Sequence, residues 1–275
     1  MTSTEGQMAA WDAGTFEALT ISVDRHVAEV TLSRPDLLNR ADAVLHEELP
    51  RAFVRLAANR DIRAVVLAST GKVFSAGGDF ALMLAAHDDL ITRMETHERG
   101  KRLMRSVLEL PVPVIVALHG DAIGVGATLV LTCDAVIAAR TARLSDPHVN
   151  IGLVAGDGGC VAWPAAAGLM RARRYLLTGD LVSAADAHQW GMVTDLVDLP
   201  EDTLPAARKL ANRIAELPPL AVQGTKRSLS RLALARVYEV LDYSFAQQAI
   251  TSASDDLIEA IGAFKEKRKP VYKGH

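Results

Sequence analysis

Hydrophobic and polar residues repeat one order along the chain: a short β-branched strand, a glycine-rich turn and a helical pattern. The first unit starts with the alternating VAEVTLSRP, which stops at Pro35, and continues into a helix predicted over 42–58, where Pro50 should kink or interrupt it. The second runs from AVVLAS into TGKVFSAGGDF, and the third from VPVIVALHGDAIGVGATLVLTCD into AVIAAR. This order predicts an α/β protein with backbone N–H groups exposed at helix N-termini, where negative charge binds.

From residue 203 onwards the pattern is helical and carries no strand signal. The segment LPPL marks a break within it. The predicted helical segments are 203–216, 219–235 and 236–267. The predicted organisation is a loose N-terminal leader over 1–15, a core over 16–202 and a C-terminal helical region over 203–275.

Composition limits the possible partners and compartments. A formal net charge of −3 over 275 residues, with no basic run longer than KEKRK, argues against nucleic acid and anionic membranes as partners. Cys133 and Cys160 have no metal-ligand spacing and are too few for a disulfide framework, so we predict a cytoplasmic protein without a metal site. No apolar run approaches the length of a membrane span.

Several motifs in order resemble the crotonase (enoyl-CoA hydratase/isomerase) superfamily over about residues 20–270. They are LSRPDLLNRAD, GKVFSAGGDF, ALHGDAIGVGATLVLTCD, RRYLLTGDLVSAADAHQWGMVTDLV and AFKEKRKPVYKG. The resemblance implies a spiral of ββα repeats with a C-terminal helical region that builds a homotrimer or a dimer of trimers. It also implies a coenzyme A thioester as substrate and no tightly bound cofactor.

The resemblance assigns an oxyanion hole to the backbone N–H groups of Gly78, in SAGGD, and Val125, in GVG. Paired amides of this kind stabilise negative charge as it develops on a thioester oxygen. The resemblance also implies a substrate and coenzyme A site, with basic residues near the phosphates. Its residues would be Leu37, Asn39, Ala41, Ser75, Ala76, Asp79, Thr128, Lys265 and Arg268.

Both glutamates that hydratases of this superfamily use are missing, and no glutamate lies between Glu109 and Glu201. Thr128 and His148 stand at those positions. Threonine does not transfer protons near neutral pH, whereas histidine titrates in that range. Asp157, between glycines before a helical pattern, is the second candidate, and its alternative role is a helix N-cap. We therefore expect His148 and Asp157 to be the acid and base.

The segment DPHVNIGLVAGDGGCVAWP also resembles the β-diketone hydrolases of this superfamily, of the 6-oxocamphor hydrolase type, which use a histidine and an aspartate nine residues apart. His46 falls near another functional histidine of those hydrolases, although a buried core histidine is its alternative interpretation, and Gln248 replaces their glutamate. Three functions follow: an acyl-CoA hydratase or isomerase with a substituted acid/base pair, a retro-Claisen C–C hydrolase of a β-diketone, or a non-catalytic acyl-CoA-binding module.

Overall fold

Two β-sheets organise residues 15–275, which the computed structural model describes, so the predicted leader lies outside the described residues except for Thr15. The strands are β1 (Leu19–Asp24), β2 (Val27–Leu32), β3 (Ala64–Ser69), β4 (Val114–Leu118), β5 (Ala122–Ile123), β6 (Ala135–Ala139), β7 (Arg143–Ser145), β8 (Val182–Ser183) and β9 (Asp195–Val197). The larger sheet has the order β1-β2-β3-β4-β6-β9, parallel except for the β1–β2 pair, and the smaller has the order β5-β7-β8. The α/β class is as predicted.

The helices are α1 (Ala43–Ala58), α2 (Phe80–Asp88), α3 (Leu90–Glu109), α4 (Val125–Thr132), α5 (Gly159–Ala167), α6 (Leu169–Leu176), α7 (Ala184–Trp190), α8 (Thr203–Ala215), α9 (Pro219–Arg236), α10 (Asp242–Ser252) and α11 (Asp255–Glu266). Short 3₁₀ turns cover Pro35–Leu37, His148–Ile151 and Pro200–Asp202, and a π-helical turn covers Val237–Leu241. Within residues 15–275, no helix has the length and apolar character that a membrane span requires.

The predicted interruption at Pro50 is wrong, because α1 is continuous through it. Leu45, Leu49 and Phe53 form a buried face of this helix within the main core. Most helical stability in proteins comes from packing such a face, so its burial outweighs the backbone hydrogen bond that proline removes.

The C-terminal helices are present, but the sequence pattern did not predict the role of α8 or the division of segment 236–267. The alanines Ala207, Ala211 and Ala215 of α8 pack closely on one face of the larger sheet, so α8 forms one of its layers. The predicted helix over 236–267 contains a π-helical turn and ends its first part at Ser252. A new helix then starts after Ser254, with acidic residues in its first turn that favour a helix N-terminus.

The strand order brings the two glycine turns side by side. Ser75 bridges Ala122, and the amide of Ile123 donates to the Ser75 carbonyl at 3.0 Å. Gly77 has φ +88°, and a Cβ there would lie 2.8 Å from the Ile123 carbonyl oxygen. A side chain at Gly77 would therefore be both strained and obstructed, which explains the glycine in SAGGD.

Candidate active site

A chamber of about 60 Å³ lies beside the two glycine turns. Its polar wall comprises His46, Asp79, Thr96, His97, His148, Asp157, Gln248 and Ser252. A second cavity, of about 410 Å³, opens outside it and shares Gly78, Met83 and His148 with the chamber. The structure thus brings Gly78, Val125, His46, His148 and Asp157 together around one space, although the chain separates them widely.

Both predicted oxyanion amides lie at turns that expose their N–H groups. Val125 is the first residue of α4, and Gly124 before it has φ +54°. Within residues 15–275, no protein acceptor bonds the amide of Gly78 or that of Val125. Both residues line the chamber, and the α4 N-terminus adds the positive end of a helix dipole. This pair of amides can therefore stabilise an anionic oxygen in the chamber.

His148 connects two carboxylates in a buried chain. Its Nδ1 lies 2.5 Å from Asp146 Oδ1, and its Nε2 lies 3.3 Å from Asp157 Oδ2. Carboxylate oxygens accept hydrogen bonds, so two carboxylates at the two ring nitrogens favour the protonated imidazolium. Burial opposes this charge, but the negative charges of Asp157 and Asp146 outweigh it and hold the pKa of His148 well above its usual value.

The same residues offer the one candidate ligand set for a metal among the described residues, with ligand atoms of Asp146, His148 and Asp157 within 4.8 Å of one another. Each ring nitrogen of His148 already faces a carboxylate on its own side of the ring. A metal ligand needs a free nitrogen lone pair. The arrangement therefore has the geometry of a hydrogen-bonded relay.

Asp157 is not a helix N-cap, so that alternative is wrong. The N-cap of α5 is Gly158, with φ 111°, and no side chain caps this helix. Asp157 Oδ1 is buried and has no partner among residues 15–275. Burial alone would favour the neutral acid, but the charged His148 lowers the pKa of Asp157 below its usual value.

His46 lies on α1 and is buried, yet it also lines the chamber. Its Nδ1 lies 2.9 Å from the Asp42 carbonyl, which only accepts, so Nδ1 carries the proton and Nε2 keeps a lone pair. Burial lowers the pKa of His46 below its usual value of 6.5, against the smaller opposing effects of the Asp42 hydrogen bond and the Asp157 charge. A neutral base and a charged acid therefore occupy the same site, as acid–base catalysis requires.

Sequence reasoning missed His97 as a residue of this site and gave Gln248 no position in it. His97 lies on α3, and its ring centroid lies 5.1 Å from that of Phe245 on α10. Both polar side chains line the chamber. The available sequence signal was Gly100, one turn after His97, because a Cβ there would lie 2.8 Å from the Phe245 ring. A glycine inside a helix indicates close packing but does not identify the partner.

The residues predicted to bind coenzyme A are divided among several environments. Ala76 lines the outer cavity, Ala41 and Asp79 line the chamber, and Leu37 is exposed nearby on its 3₁₀ turn. Asp79 also caps α2 by accepting the Ala81 amide. Lys265, next to the cavity residue Phe264, is exposed at the end of α11.

Three other side chains predicted for that site have structural partners, whereas Thr128 Oγ1 has none among residues 15–275. Asn39 and Ser75 are buried, the Asn39 side chain bonds the Arg34 amide and the Thr70 carbonyl, and Ser75 Oγ donates to the Asn39 carbonyl. Arg268 is held by Glu259 and Glu266. Thr128 is buried in α4 and lines neither cavity. These side chains therefore shape the site from behind or are engaged elsewhere in the chain.

Comparison with known proteins identifies the family. Residues 22–275 match the family model described as enoyl-CoA hydratase/isomerase. The chain is 32% identical to the (E)-benzylidenesuccinyl-CoA hydratase of Thauera aromatica, covering 93% of this chain and 99% of that one. It is also 32% identical to the 1,2-epoxyphenylacetyl-CoA isomerase of Escherichia coli, with coverages of 94% and 99%.

A crystal structure of an enoyl-CoA hydratase/isomerase from Mycobacterium paratuberculosis superimposes with a TM-score of 0.85 at 35% identity, covering 89% of this chain and 97% of that one. An enoyl-CoA hydratase from Mycobacterium avium subsp. paratuberculosis also gives a TM-score of 0.85, at 27% identity, covering 94% of this chain and 100% of that one. The match to the family model extends through the C-terminal helices. This chain is an enzyme of the enoyl-CoA hydratase/isomerase family, within the crotonase superfamily.

Proposed function

We propose that the protein hydrates a 2-enoyl-CoA thioester through an enolate, with Gly78 and Val125 as oxyanion hole and His46, His148 and Asp157 as proton-transfer groups. The chamber that joins both free amides to a neutral histidine and a charged histidine–aspartate pair is the observation that supports this most directly. The thioester is the substrate, and the reaction needs no separate cofactor.

The hydration can be followed proton by proton and bond by bond. His46 Nε2 takes a proton from water, and the water oxygen bonds to the β-carbon. The alkene electrons move onto the thioester oxygen, where the amides of Gly78 and Val125 stabilise the charge. A proton then passes from His148 Nε2 to Asp157 Oδ2, 3.3 Å away, and on to the α-carbon. The proton on His46 returns to His148 through water, so the net change is the addition of one water.

The outer cavity supplies the path for the pantetheine arm, because it meets the chamber at Gly78, Met83 and His148. Ala76 and Phe264 line this path, and the exposed Lys265 next to Phe264 is placed to meet the phosphates. Arg268 would have to leave Glu259 and Glu266 to do the same. A homotrimer or a dimer of trimers and a cytoplasmic location remain predictions, and analytical ultracentrifugation measures the first.

A second function, retro-Claisen cleavage of a β-diketone, is favoured by one observation. The free lone pair of His46 Nε2 faces the same chamber as Asp157, as activation of water against a ketone requires. Gln248 provides no carboxylate at the position where the β-diketone hydrolases have glutamate. We therefore place hydration first.

The test is incubation of the purified protein with short 2-enoyl-CoA thioesters and cyclic β-diketones, followed by thioester absorbance and product mass. The expected result is loss of the enoyl absorbance with a mass gain of one water. An isomer of unchanged mass would contradict the hydration step, and ring opening of a diketone without thioester turnover would establish the second function. Tight thioester binding with no chemistry on any probe would overturn both and establish a binding module.

A further inference from the structure

Asp157 lies in a loop over residues 152–158, which connects the 3₁₀ turn of His148 to α5 and is called the Asp157 loop below. Its sequence is GLVAGDG, so Asp157 is the one polar side chain in it. Glycine permits many backbone conformations, and a loop with three of them has no strong conformation of its own. Contacts with the rest of the protein must therefore decide where the Asp157 carboxylate lies.

An apolar contact with α11 holds the start of the Asp157 loop. Leu153 is buried and packs with Leu257 and Ile261 in a small core cluster. Apolar contact is not directional, so it keeps the loop against the C-terminal helices without fixing how its peptide groups are turned. Hydrogen bonds are directional, and the orientation of Asp157, four residues later, depends on them.

Thr251 of α10 makes the first directional contact with the loop. Its Oγ1 accepts the Val154 amide at 3.2 Å and donates to the Gln248 carbonyl at 3.0 Å. A hydroxyl group has one hydrogen to donate and lone pairs to accept with, and Thr251 uses both functions. This hydroxyl therefore ties the loop backbone to the backbone of α10, three residues before Asp157.

Ser244 of α10 contacts the peptide group that leads into Asp157. Its Oγ lies 3.1 Å from the Gly156 carbonyl oxygen and 3.0 Å from the Leu241 carbonyl oxygen, and its one hydrogen is shared between them. The Gly156 carbonyl and the Asp157 amide belong to the same planar peptide group, so a contact that fixes one also fixes the other. Ser244 thus constrains the backbone where the Asp157 side chain begins.

Gly156 allows the loop and α10 to meet backbone to backbone. A Cβ at this position would lie 2.5 Å from the Ser244 carbonyl oxygen and 2.8 Å from the Cβ of Gln248. Any other residue would push the loop away from α10 and stretch the Ser244 contact. The glycine before Asp157 is therefore explained by this close approach.

The π-helical turn over Val237–Leu241 determines which face of α10 meets the loop. A π turn contains one extra residue, which rotates the side chains that follow it by about 100° around the helix axis. Ser244 and Gln248 lie on the buried face of α10 that results. Such turns are rare and occur frequently at functional sites.

The contact between Asp157 and His148 is sensitive to small movements of this loop. Nε2 and Oδ2 are 3.3 Å apart, longer than the roughly 2.7–2.9 Å of a strong bond between a charged N–H and a carboxylate. Groups that exchange a proton need to lie within about 3.2 Å in the working complex. A withdrawal of the carboxylate by about 0.5 Å would therefore interrupt the transfer.

We propose that Ser244 and Thr251 are positioning residues that hold the Asp157 carboxylate within reach of His148, so that α10 sets the acid–base geometry of the chamber. The inference rests on the proposed function, in which Asp157 passes a proton from His148 to the α-carbon. Neither hydroxyl lines the chamber, so both act through the loop backbone. The C-terminal helical region thereby takes part in catalysis without contacting the substrate.

The test uses Ser244→Ala and Thr251→Val, each of which removes one hydroxyl, and measures kcat, KM and the pKa of His148. NMR titration of protein labelled at histidine gives that pKa without any turnover. The charge of Asp157 helps to raise it, so a withdrawn carboxylate should lower it and move the alkaline limb of kcat to lower pH. Each variant should lower kcat by about 10- to 100-fold and leave KM within about twofold.

Two matched variants separate positioning from a general loss of structure. Thr251→Ser keeps the hydroxyl and should restore the wild-type kcat and the wild-type pKa of His148. Ser228→Ala removes an exposed hydroxyl of α9 that bonds the Gly224 carbonyl in the same helix, and it should change neither quantity. Rates are taken per folded molecule, and if one of the two test variants does not fold, the other decides.

A lower kcat with an unchanged pKa of His148 would overturn the proposal, because the loss would not act through Asp157. Unchanged kcat and pKa in the test variants would overturn it as well. If the wild-type protein turns over no enoyl thioester, the proposed function fails. The NMR titration still decides in that case whether the two hydroxyls hold Asp157 against His148.

Discussion

Two groups of paired charges in this molecule differ in how fully their polar atoms are bonded. Lys226 of α9 is 5% exposed, and its ammonium donates to Asp134 Oδ2 at 2.6 Å and to the Val112 carbonyl at 2.9 Å. The same Asp134 oxygen accepts the Val114 amide. This pair holds a C-terminal helix against the start of β4, where both residues also line a separate cavity of about 460 Å³.

The Asp146–His148–Asp157 chain is more deeply buried, because the Asp134 side chain is 33% exposed, but it is incompletely bonded. Asp146 Oδ2 and Asp157 Oδ1 have no hydrogen-bond partner among residues 15–275, and Asp157 borders the chamber. The bonded atoms of the Lys226–Asp134 pair hold the fold, whereas buried polar atoms that lack a partner, such as Asp157 Oδ1, can bond a substrate. We therefore predict that the Lys226–Asp134 pair controls stability and that the Asp146–His148–Asp157 chain controls turnover.

Asp157→Asn should produce the largest effect on turnover. Removal of a group that transfers protons typically lowers the rate by about 10²–10⁴-fold, and the asparagine amide does not relay a proton from His148. The change keeps the shape of the side chain but removes the charge that faces the buried His148, so the free energy of unfolding should fall by about 1–3 kcal/mol. Steady-state rates and urea unfolding measure both quantities. Unchanged turnover would remove Asp157 from the mechanism.

Lys226→Met should produce the largest effect on stability. Removing one partner leaves Asp134 without its cation, and breaking a buried pair costs about 3–5 kcal/mol; Asp134 is partly solvated, which favours the lower end. Turnover per folded molecule should remain within about twofold. Lys209→Met, at an exposed lysine, is the matched control and should change stability by less than about 0.5 kcal/mol. A Lys226→Met protein that is stable but inactive would show that this pair controls turnover, which contradicts the comparison.

The pH dependence of kcat/KM tests the charge states directly. The base must be neutral, so activity falls as acid protonates His46; because burial lowers that pKa, the acid limb should lie below pH 6.5. The acid must be charged, so activity falls as base deprotonates His148, whose raised pKa places the alkaline limb well above pH 6.5. His46→Gln should lower the rate and remove the acid limb, whereas His26→Gln, at the surface, should change neither. An acid limb above pH 6.5 would contradict the neutral His46.

The sequence predicted features that depend on local order and missed those that depend on tertiary packing. The resemblance to the crotonase superfamily pointed to Gly78, Val125, His148 and Asp157, because its motifs lie within short segments of the chain. The chain gives no local signal that His97 and Gln248, on α3 and α10, line the same chamber. Pro50 was misjudged for the same reason, since the buried face of α1 decides whether that helix continues.

The smallest expected effect is that of Asp146→Asn, and it tests the inner half of the relay. Asp146 touches His148 but borders neither cavity, so it acts as a positioning residue. The asparagine oxygen still accepts from Nδ1 and holds the ring, but its neutral side chain no longer helps to raise the pKa of His148. The alkaline limb should therefore move to lower pH, while the rate at the optimum falls far less than in Asp157→Asn. Asp121→Asn, which weakens a surface pair with Arg143, should leave the limb in place. If the alkaline limb does not move in Asp146→Asn, the charge of Asp146 does not raise the pKa of His148. Asp146 would then have a structural role, as the Lys226 pair does.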